Sequence, residues 1–520
     1  MGGQTALLRA ISTIGGFTMI SRVLGFVRDI LIASFLGASF VADVFFVAFK
    51  LPNFFRRLFA EGAFNAGFVP LFSRIHQTEG DQSAKAFAEQ ALSVLLLTLF
   101  VLVTLFQIFM PAVITVLAPG FSGIPLKFDL AVDLTRLTFP YLMFISLVSL
   151  MGGVLNSLGR FAAVAATPVL LNICLISSLL VVAPYLPTPG HALAWGVAAA
   201  GAVQFVWLLW ALQCEGWMLR LRLPRLSPRV IELLKLMAPA AVGAGIVQIN
   251  LVIDIVLASL LPEGSISYLF YADRLNQLPI GVVGVAVGTA LLPMLSRRIS
   301  DGDERGAVIA LNRATEFALL LSLPAAMALA VIAEPLISVL FERGAFDADA
   351  SRATSYALMA YAVGLPAYVL VKVLTPGFFA RLDTKTPVRI ALIALAVNLV
   401  LNIALMIPLK HAGLALATAI SAWVNVWLLY STLRRRGHFP VEPRLARRLR
   451  KTVVSATIMG AGLFLAHQQL QPWLDGDSVM QITALAVLVV GGMVLYGLAA
   501  QISGAAQIGE LKSQLRNPGP

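Results

Sequence analysis

The sequence predicts an all-α polytopic membrane protein with fourteen transmembrane helices, arranged as two parallel six-helix lobes and an extra C-terminal helix pair. Of its 520 residues, 59% are hydrophobic and only 12% are charged, whereas about 25% of the residues in a soluble domain are charged. Apolar runs of 18 residues or more recur from end to end, which is typical of membrane-spanning helices. An internal duplication then divides these helices into two sets.

Fourteen apolar segments follow one another along the chain. Several exceed the roughly 20 residues that cross a bilayer, which predicts tilted or kinked helices. Pro52, Pro140 and Pro279 lie inside segments and mark expected breaks. The segments cover residues 9–36, 41–72, 88–118, 130–158, 161–185, 190–215, 230–261, 266–296, 310–341, 352–380, 386–408, 411–433, 450–470 and 479–504.

The loop charges predict the orientation of the chain. Most lysines and arginines outside the apolar segments follow even-numbered segments, including the basic run 434–451. The opposite side holds only Lys127, Arg136, Arg343, Arg352 and Lys410. Because cytoplasmic loops carry the excess of positive charge, we expect both termini in the cytoplasm. The net charge of +12 therefore reflects topology, and no nucleic acid is expected as a partner.

The duplication has an offset of about 220 residues. It predicts an N-lobe at 1–220, a C-lobe at 221–440, and a basic linker with the last two spans at 441–520. Six spans per copy give both lobes the same orientation, so substrate is expected between them, moved by rocking of one lobe against the other. The matching strings are DILIASFL at 29–36 with DIVLASLL at 254–261, VPLFSR at 69–74 with LPMLSR at 292–297, TPV at 167–169 with TPV at 386–388, and VWLLW at 206–210 with VWLLY at 426–430.

Several cations lie inside apolar segments. A charged side chain near the bilayer centre costs about 2.5–3.5 kcal/mol, so we expect these cations to line a water-filled cavity. Guanidinium groups bind phosphate well, which makes a phosphate-bearing anion the expected ligand. Lys50 aligns with Arg274. Arg274 belongs to the second copy, and all the other cations belong to the first. The full set is Arg22, Arg28, Lys50, Arg56, Arg57 and Arg274.

The acids beside these cations have two interpretations. They could act as gates that pair with cations and release them, or they could form structural ion pairs. The candidate pairs are Arg28 with Asp29 or Asp43, Arg57 with Glu61, and Arg274 with Asp273. Asp254, which aligns with Asp29, is a candidate site for a coupling ion such as Na⁺ or H⁺, or a further partner of an arginine.

Other classes of protein fit the sequence less well. Cys174 and Cys214 are expected to be packing residues, and the scattered histidines predict no metal site. The chain has no GxxxxGK[ST] motif for a nucleotide, so no cofactor is expected and transport would use an ion gradient or the membrane potential. A membrane glycosyltransferase would need clustered acids on a large outer loop, and the outer loops are short. We therefore expect no enzymatic activity.

Several strings in these segments are similar to those of one known family. SRVLGFVRD at 21–29, ADVFFVAFKLPNFFRRLFAEGAF at 42–64, YADRLNQLPIGVVGVAVGTALLP at 271–293, TPGFFARLDTKTP at 375–387 and KHAGLALA at 410–417 resemble the MurJ (MviN) family of lipid II flippases. The resemblance extends over essentially the whole chain. It implies membership of the multidrug/oligosaccharidyl-lipid/polysaccharide exporter superfamily, with two lobes around a cationic cavity and a groove for the polyprenyl tail at the last two helices.

The resemblance also implies a function and a set of site residues. The family moves the undecaprenyl-diphosphate-linked peptidoglycan precursor to the periplasmic leaflet, which makes lipid II, membrane lipids and the cell-wall synthesis machinery the expected partners. By motif position, the family's functional arginines fall on Arg22, Arg28, Arg56 and Arg274. Other functional or gating positions fall on Asp43, Asn53, Ser267 and Asp273. We expect Asn53 and Ser267, with Lys50, to bind the substrate, and Asp43 and Asp273, with Asp29, Arg57 and Glu61, to act in gating or in ion pairs. This chain departs from some relatives at Gln277, where they carry an acid.

Three alternatives stay open at this stage. A flippase for polysaccharide repeat units of the same superfamily would need a similar cationic cavity. An ion-coupled drug exporter would have twelve spans and an acidic cavity for cationic drugs. A scaffold without transport would leave the charges in the spans unexplained.

Overall fold

The computed structural model describes residues 2–57 and 64–506 of the chain. All regular elements within these two ranges are helical, which confirms the all-α class. We number the α-helices in chain order. They are α1 (Gly2–Leu36), α2 (Phe40–Phe55), α3 (Asn65–Glu79), α4 (Asp81–Ile108), α5 (Met110–Leu117), α6 (Pro125–Thr138), α7 (Tyr141–Ser157), α8 (Phe161–Ser177), α9 (Pro189–Cys214), α10 (Pro228–Ser259), α11 (Ser265–Pro279), α12 (Val285–Ser300), α13 (Glu304–Val331), α14 (Ala333–Phe341), α15 (Ala348–Phe379), α16 (Lys385–Arg435), α17 (Pro443–Leu474) and α18 (Ser478–Ser503).

Each apolar segment predicted from the sequence lies on helices in its described part. In the described part of the chain, 9 helical stretches are long and apolar enough to cross a membrane. The chain is therefore a multi-pass membrane protein, and the full count of fourteen crossings stays a prediction. The 9 stretches are Asp81–Ile108, Pro125–Ser157, Phe161–Tyr185, Pro189–Cys214, Glu304–Val331, Ala348–Phe379, Lys385–Arg435, Pro443–Leu474 and Ser478–Ser503.

Local sequence sets many of the helix starts. The side chains of Ser39, Thr188, Ser227, Asp303 and Asp347 accept hydrogen bonds from backbone N–H groups in the first turns of α2, α9, α10, α13 and α15. Such caps satisfy donors that have no partner inside the helix. In α9 and α10 a proline follows the cap directly, where its fixed φ suits the first helical position.

Two of the three prolines singled out in the sequence coincide with helix breaks, and the third lies near the end of a helix. Pro140 separates α6 from α7, and Pro52 lies three residues before the end of α2. Pro279 ends α11 and is followed by a π-helical turn over Ile280–Gly284. A further break interrupts α16 at Lys410, whose φ of 49° and ψ of −131° lie outside the helical region. This break separates the eleventh and twelfth predicted spans.

The chain forms two compact units, and unit 1 comprises Met1–Ser267 and Arg343–Phe346. Within it, α1 packs on α8, α2 on α6, and α7 on α9. Helix α10 also packs here, against α3, α4 and α5. The contacts therefore assign the seventh predicted span to the same unit as the first six, whereas the sequence repeat assigns it to the second copy. The lobe boundary at 220 stays a prediction from the repeat.

Unit 2 comprises Tyr268–Glu342 and Asp347–Pro520. Its central helix, α15, packs against α12, α13, α14 and α16 around a core that includes Leu311, Val373 and Phe378. Helices α17 and α18 pack on each other, and α17 also packs on α13. Most of the basic run 434–451 is helical, and Glu316 of α13 anchors it by pairing with Arg444 at 3.5 Å and Arg448 at 2.5 Å.

Candidate functional site

Arg28 is buried in α1, and each of its three guanidinium nitrogens donates a hydrogen bond. Its Nε and Nη2 donate to Asp29 Oδ1 at 3.0 and 2.7 Å. Its Nη1 donates to Asn172 Oδ1 on α8 at 2.9 Å, and Asn172 Nδ2 donates to the Ser21 carbonyl at 2.9 Å. The predicted pairing of Arg28 with Asp29 is confirmed, and Asn172 fixes the direction of the guanidinium.

Asp43 accepts four hydrogen bonds. It lies in the first turn of α2 with 1% of its surface exposed. Oδ2 accepts from Lys127 Nζ at 3.3 Å and from Gly264 N at 2.9 Å. Oδ1 accepts from the backbone N of Ser267 at 3.0 Å and from its hydroxyl at 2.7 Å. Asp43 thus caps the N-terminus of α11, where a negative charge is favoured, while Lys127 balances its charge.

A second cap runs in the opposite direction. The backbone N of Phe40, at the start of α2, donates to Glu263 Oε1 at 2.7 Å, and Glu263 directly precedes Gly264. Asp43 and Ser267 are 224 residues apart, which is the offset that aligns Lys50 with Arg274. Equivalent positions of the two sequence copies therefore contact each other and cap each other's helices. We call the contact formed by Phe40, Asp43, Glu263, Gly264 and Ser267 the reciprocal cap.

Two glycines near the reciprocal cap, one in each sequence copy, each lie against a helix end of the other copy. A Cβ on Gly120 would lie 1.9 Å from the Ser259 carbonyl oxygen at the end of α10. A Cβ on Gly344, which has a φ of +59°, would lie 2.3 Å from the Ser34 carbonyl oxygen near the end of α1. Only glycine permits such close approach of two backbones. The two copies are therefore in close backbone contact at both places.

The remaining predicted residues of the first copy lie on α1 and at the end of α2. Asn53 Nδ2 donates to the Phe49 carbonyl at 2.9 Å, and its Oδ1 accepts from Arg56 Nε at 3.1 Å. Asn53 therefore orients Arg56. Arg22 and Arg57 are exposed and Lys50 is half-buried. Glu61 lies outside the described residues, so its pairing with Arg57 stays a prediction.

The predicted residues of the second copy lie on α10 and α11. The Arg274 guanidinium lies over the Phe270 ring at 4.6 Å from the centroid, a geometry that stabilises a cation. Asp273 Oδ2 accepts a hydrogen bond from Gln277 Nε2. An ionised acid at position 277 could not donate this hydrogen bond. Asp273 therefore cannot be held in this way in the relatives that carry an acid there. Asp254 is half-buried on α10.

Two lysines were missed at the level of sequence. Lys127, predicted to be an outer loop cation, is buried between Asp43 and the Phe121 ring, 4.4 Å from the ring centroid. Lys372 lies in the apolar string VLVKVL of α15, and a Cβ on Gly284 would come within 2.8 Å of its Cδ. Lys372 carries the same signal as the other cations in the spans and could have been found. Nothing in the sequence around Lys127 indicates its partner.

Comparisons with known proteins agree along the whole chain. A family model described as lipid II flippase MurJ matches residues 32–484. A probable lipid II flippase MurJ of Rhizobium tropici is 42% identical over 521 residues, covering 99% of this chain and 98% of the relative. The lipid II flippase MurJ of Burkholderia cenocepacia is 39% identical over 461 residues, covering 88% of this chain and 89% of the relative.

Solved structures show the same similarity. A structure of lipid II flippase MurJ in an inward closed conformation matches with a TM-score of 0.77 and 26% identity, over 94% of this chain and 98% of that one. An inward-facing multidrug resistance transporter of the MATE family, from the MOP superfamily, matches with a TM-score of 0.67 and 14% identity, over 82% of this chain and 98% of that one. The second match shows a shared fold.

Proposed function

This chain belongs to the MurJ family of lipid II flippases, and on that premise we propose that it moves lipid II from the cytoplasmic to the periplasmic leaflet of a bacterial inner membrane by alternating access. The observation that carries the proposal is the full-length match to the Rhizobium tropici relative at 42% identity. The fold supports it, because the MOP superfamily transporters share it. A flippase relocates its substrate without converting it, so we assign no catalytic residue.

The diphosphate of lipid II suits the cations of the spans. We propose that Arg22, Arg28, Arg56 and Arg274 bind it, because planar guanidinium groups hold phosphate oxygens through paired hydrogen bonds. Arg28 is fixed in direction by Asp29 and Asn172, and Asn53 orients Arg56. Lys50 and Lys372 would add point charges without the same directionality, and Arg57 would support the site from its position just after α2.

The acids and Ser267 suit a different role. Ser267 is fully buried, and its hydroxyl donates to Asp43. We therefore assign Ser267 to the gate with Asp43, where it closes the predicted outer side, and not to the substrate site. Asp29 and Asp273 serve as partners of Arg28 and Gln277. Asp254 is our candidate for a coupling-ion site, and the membrane potential is the other energy source the charges allow.

Removing and restoring the positive charge at position 28 tests the proposal. In cells depleted of their own flippase, we expect Arg28→Ala to abolish exposure of lipid II on the outer leaflet and Arg28→Lys to restore part of it. Arg74→Ala is the matched control, because Arg74 is an exposed arginine paired with Glu232 at 2.8 Å. Normal exposure of lipid II with Arg28→Ala, at normal protein levels, would refute the site.

A flippase for polysaccharide repeat units is the second candidate, because its substrate carries the same undecaprenyl diphosphate. Direct binding of the purified protein separates the two. We expect lipid II to bind at least tenfold more tightly than an undecaprenyl diphosphate that carries a glycan without peptide. Equal affinities, or the reverse order, would favour the second candidate.

The membrane orientation is a proposal of its own. We propose that both termini lie in the cytoplasm, on the same side as the basic run 434–451. Reporter fusions after residue 215 and after residue 122 should give opposite results, cytoplasmic for the first and periplasmic for the second. Interactions with the cell-wall synthesis machinery and with membrane lipids fit the same role.

A further inference from the structure

Unit 2 contains a cavity of about 560 Å³. None of the residues that line it was assigned above to the substrate site or to the gate. The cavity lies between the first turns of α15 and the break in α16 at Lys410. Its size falls in the range of roughly 300–1,000 Å³ that small-molecule sites occupy. By the loop-charge rule both walls lie at the periplasmic ends of their helices.

The charged side chains of this cavity leave it net positive. Asp349, Arg352 and Tyr356 lie on one face of α15, since they are three and four residues apart. Lys410 faces the same cavity from α16. Arg352 Nη1 lies 3.5 Å from Asp349 Oδ1, which is a long contact. Two cations against one carboxylate leave about one positive charge, which a single phosphodiester would neutralise.

The backbone at Lys410 is held in a strained conformation. Lysine has a Cβ and rarely adopts a positive φ, yet Lys410 has a φ of 49°. The neighbouring His411 supports this arrangement, because its Nε2 donates to the Ala353 carbonyl at 2.8 Å and its ring packs on Tyr268 at 4.9 Å between centroids. Lys410 lines the cavity, whereas the aligned residue of the first copy is Gly190, which has no side chain.

The surface that leads away from the cavity is apolar. Tyr356, Met359 and Val363 follow one another along α15 and are exposed, as are Ile403 and Ile407 on α16. A stripe of this kind suits acyl chains, while the tyrosine suits the membrane interface. The cavity therefore offers charge for one phosphate beside a path for two lipid tails.

We propose that this cavity binds the headgroup of an anionic phospholipid of the periplasmic leaflet, with Arg352 and Lys410 on the phosphodiester and the acyl chains along α15 and α16. Arg352 supplies paired donors to two phosphate oxygens, and Lys410 supplies a point charge. A zwitterionic lipid fits less well, because its added cation would meet a cavity that is already positive. None of the residues that line the cavity is among the cations assigned to lipid II.

Binding of short-chain lipids to the purified full-length protein tests the site. Dihexanoyl phosphatidylglycerol should bind at least tenfold more weakly to the double variant Arg352→Gln/Lys410→Gln than to the unchanged protein. Arg136→Gln is the matched control, since Arg136 is an exposed cation at the same predicted side, and it should change binding less than twofold. Dihexanoyl phosphatidylcholine should bind weakly to all three proteins.

Three results would overturn the proposal. One is unchanged phosphatidylglycerol binding in the double variant at an unchanged melting temperature. Another is equally tight binding of inorganic phosphate, which would make the cavity a general anion site. The last is binding of phosphatidylcholine as tight as that of phosphatidylglycerol, which would leave the two cations without a role.

Discussion

The starts of α2 and α11 are equivalent positions of one repeated unit, yet they carry opposite hydrogen-bonding groups. In the first copy Asp43 accepts four hydrogen bonds. In the second copy the aligned residue is Ser267, whose hydroxyl and backbone both donate to Asp43. The copies are alike in helical structure and differ in charge.

This difference has a physical reason. In a contact between equivalent positions of two copies, a residue meets its own counterpart, as in a symmetric dimer. Two aspartates would place like charges side by side in a buried site, which is strongly unfavourable. Aspartate against serine converts that repulsion into hydrogen bonds. The two copies therefore differ at this contact because identical aspartates would repel each other.

The largest effect is expected from restoring the symmetry with Ser267→Asp. The new carboxylate would take the place of a hydroxyl 2.7 Å from Asp43 Oδ1, and we expect a loss of about 3–5 kcal/mol in the free energy of unfolding, as for an unpaired buried charge. Unfolding by SDS in mixed micelles measures it. Ser267→Ala, which removes one hydrogen bond to a charged group, should cost about 1.5–3 kcal/mol. The swap Asp43→Ser/Ser267→Asp should recover part of the loss, and no recovery would argue against equivalence of the two positions.

A smaller effect is expected from replacing Lys127, the cation that balances the charge of Asp43. Lys127→Met should cost about 3 kcal/mol, because it leaves a buried carboxylate without its ion-pair partner. The double variant Asp43→Asn/Lys127→Met should cost at least 1 kcal/mol less than the sum of the single variants, since each loses the same interaction. The same SDS titrations give all four values. Strict additivity would show that Lys127 and Asp43 are not coupled.

The two glycines test whether the backbone contacts are as reciprocal as the caps. Gly120→Ala and Gly344→Ala should each cost about 1–3 kcal/mol by overpacking. Gly344 also loses its left-handed backbone freedom, worth roughly 1 kcal/mol more. Gly123→Ala is the control, since a Cβ there would meet nothing within 4 Å, and it should stay within about 0.5 kcal/mol. If only one of the two substitutions lowered the free energy of unfolding, the reciprocal relation would hold for the helix caps and not for the backbone contacts.

The smallest effect is expected from breaking an ion pair of an aspartate that is not buried. Asp383 pairs with Arg436 at 2.6 Å in the connection between α15 and α16. Hydrogen bonds from Arg436 and Thr386 hold the pKa of Asp383 well below its usual range. Because the folded pKa is lowered, the pair stabilises the fold above the unfolded pKa of about 3.9, and this contribution is lost as the pH falls through the folded value.

Arg436→Gln should therefore cost only about 0.2–1 kcal/mol at pH 7, as exposed pairs do. The cost should be the same at pH 5 and should shrink below pH 4. Thermal unfolding of both proteins at pH 7, 5 and 3 measures it. A cost of Arg436→Gln that grows as the pH falls would contradict the lowered pKa of Asp383. It would also remove the contrast between this pair and the buried Asp43.

Predictions from sequence were most accurate where a property depends on neighbouring residues. The apolar runs predicted the helices, Pro140 and Pro279 predicted breaks, and Arg28 with Asp29 predicted an adjacent pair. They missed Lys127, because the sequence records its loop position and not the acid that it meets 84 residues earlier. Ser267 was identified through its motif, but its partner was not.

Hydropathy and repeat patterns are properties of short stretches of chain, so they were enough to predict the all-α membrane class, the duplication and the helices that carry cations. Which polar groups meet follows from the packing of the folded chain. Arg28 and Asn172 are 144 residues apart, and Asp43 and Ser267 are 224 apart. Such pairs depend on how helices from distant parts of the chain pack, and packing follows from the combined burial of many side chains. No single segment contains that information.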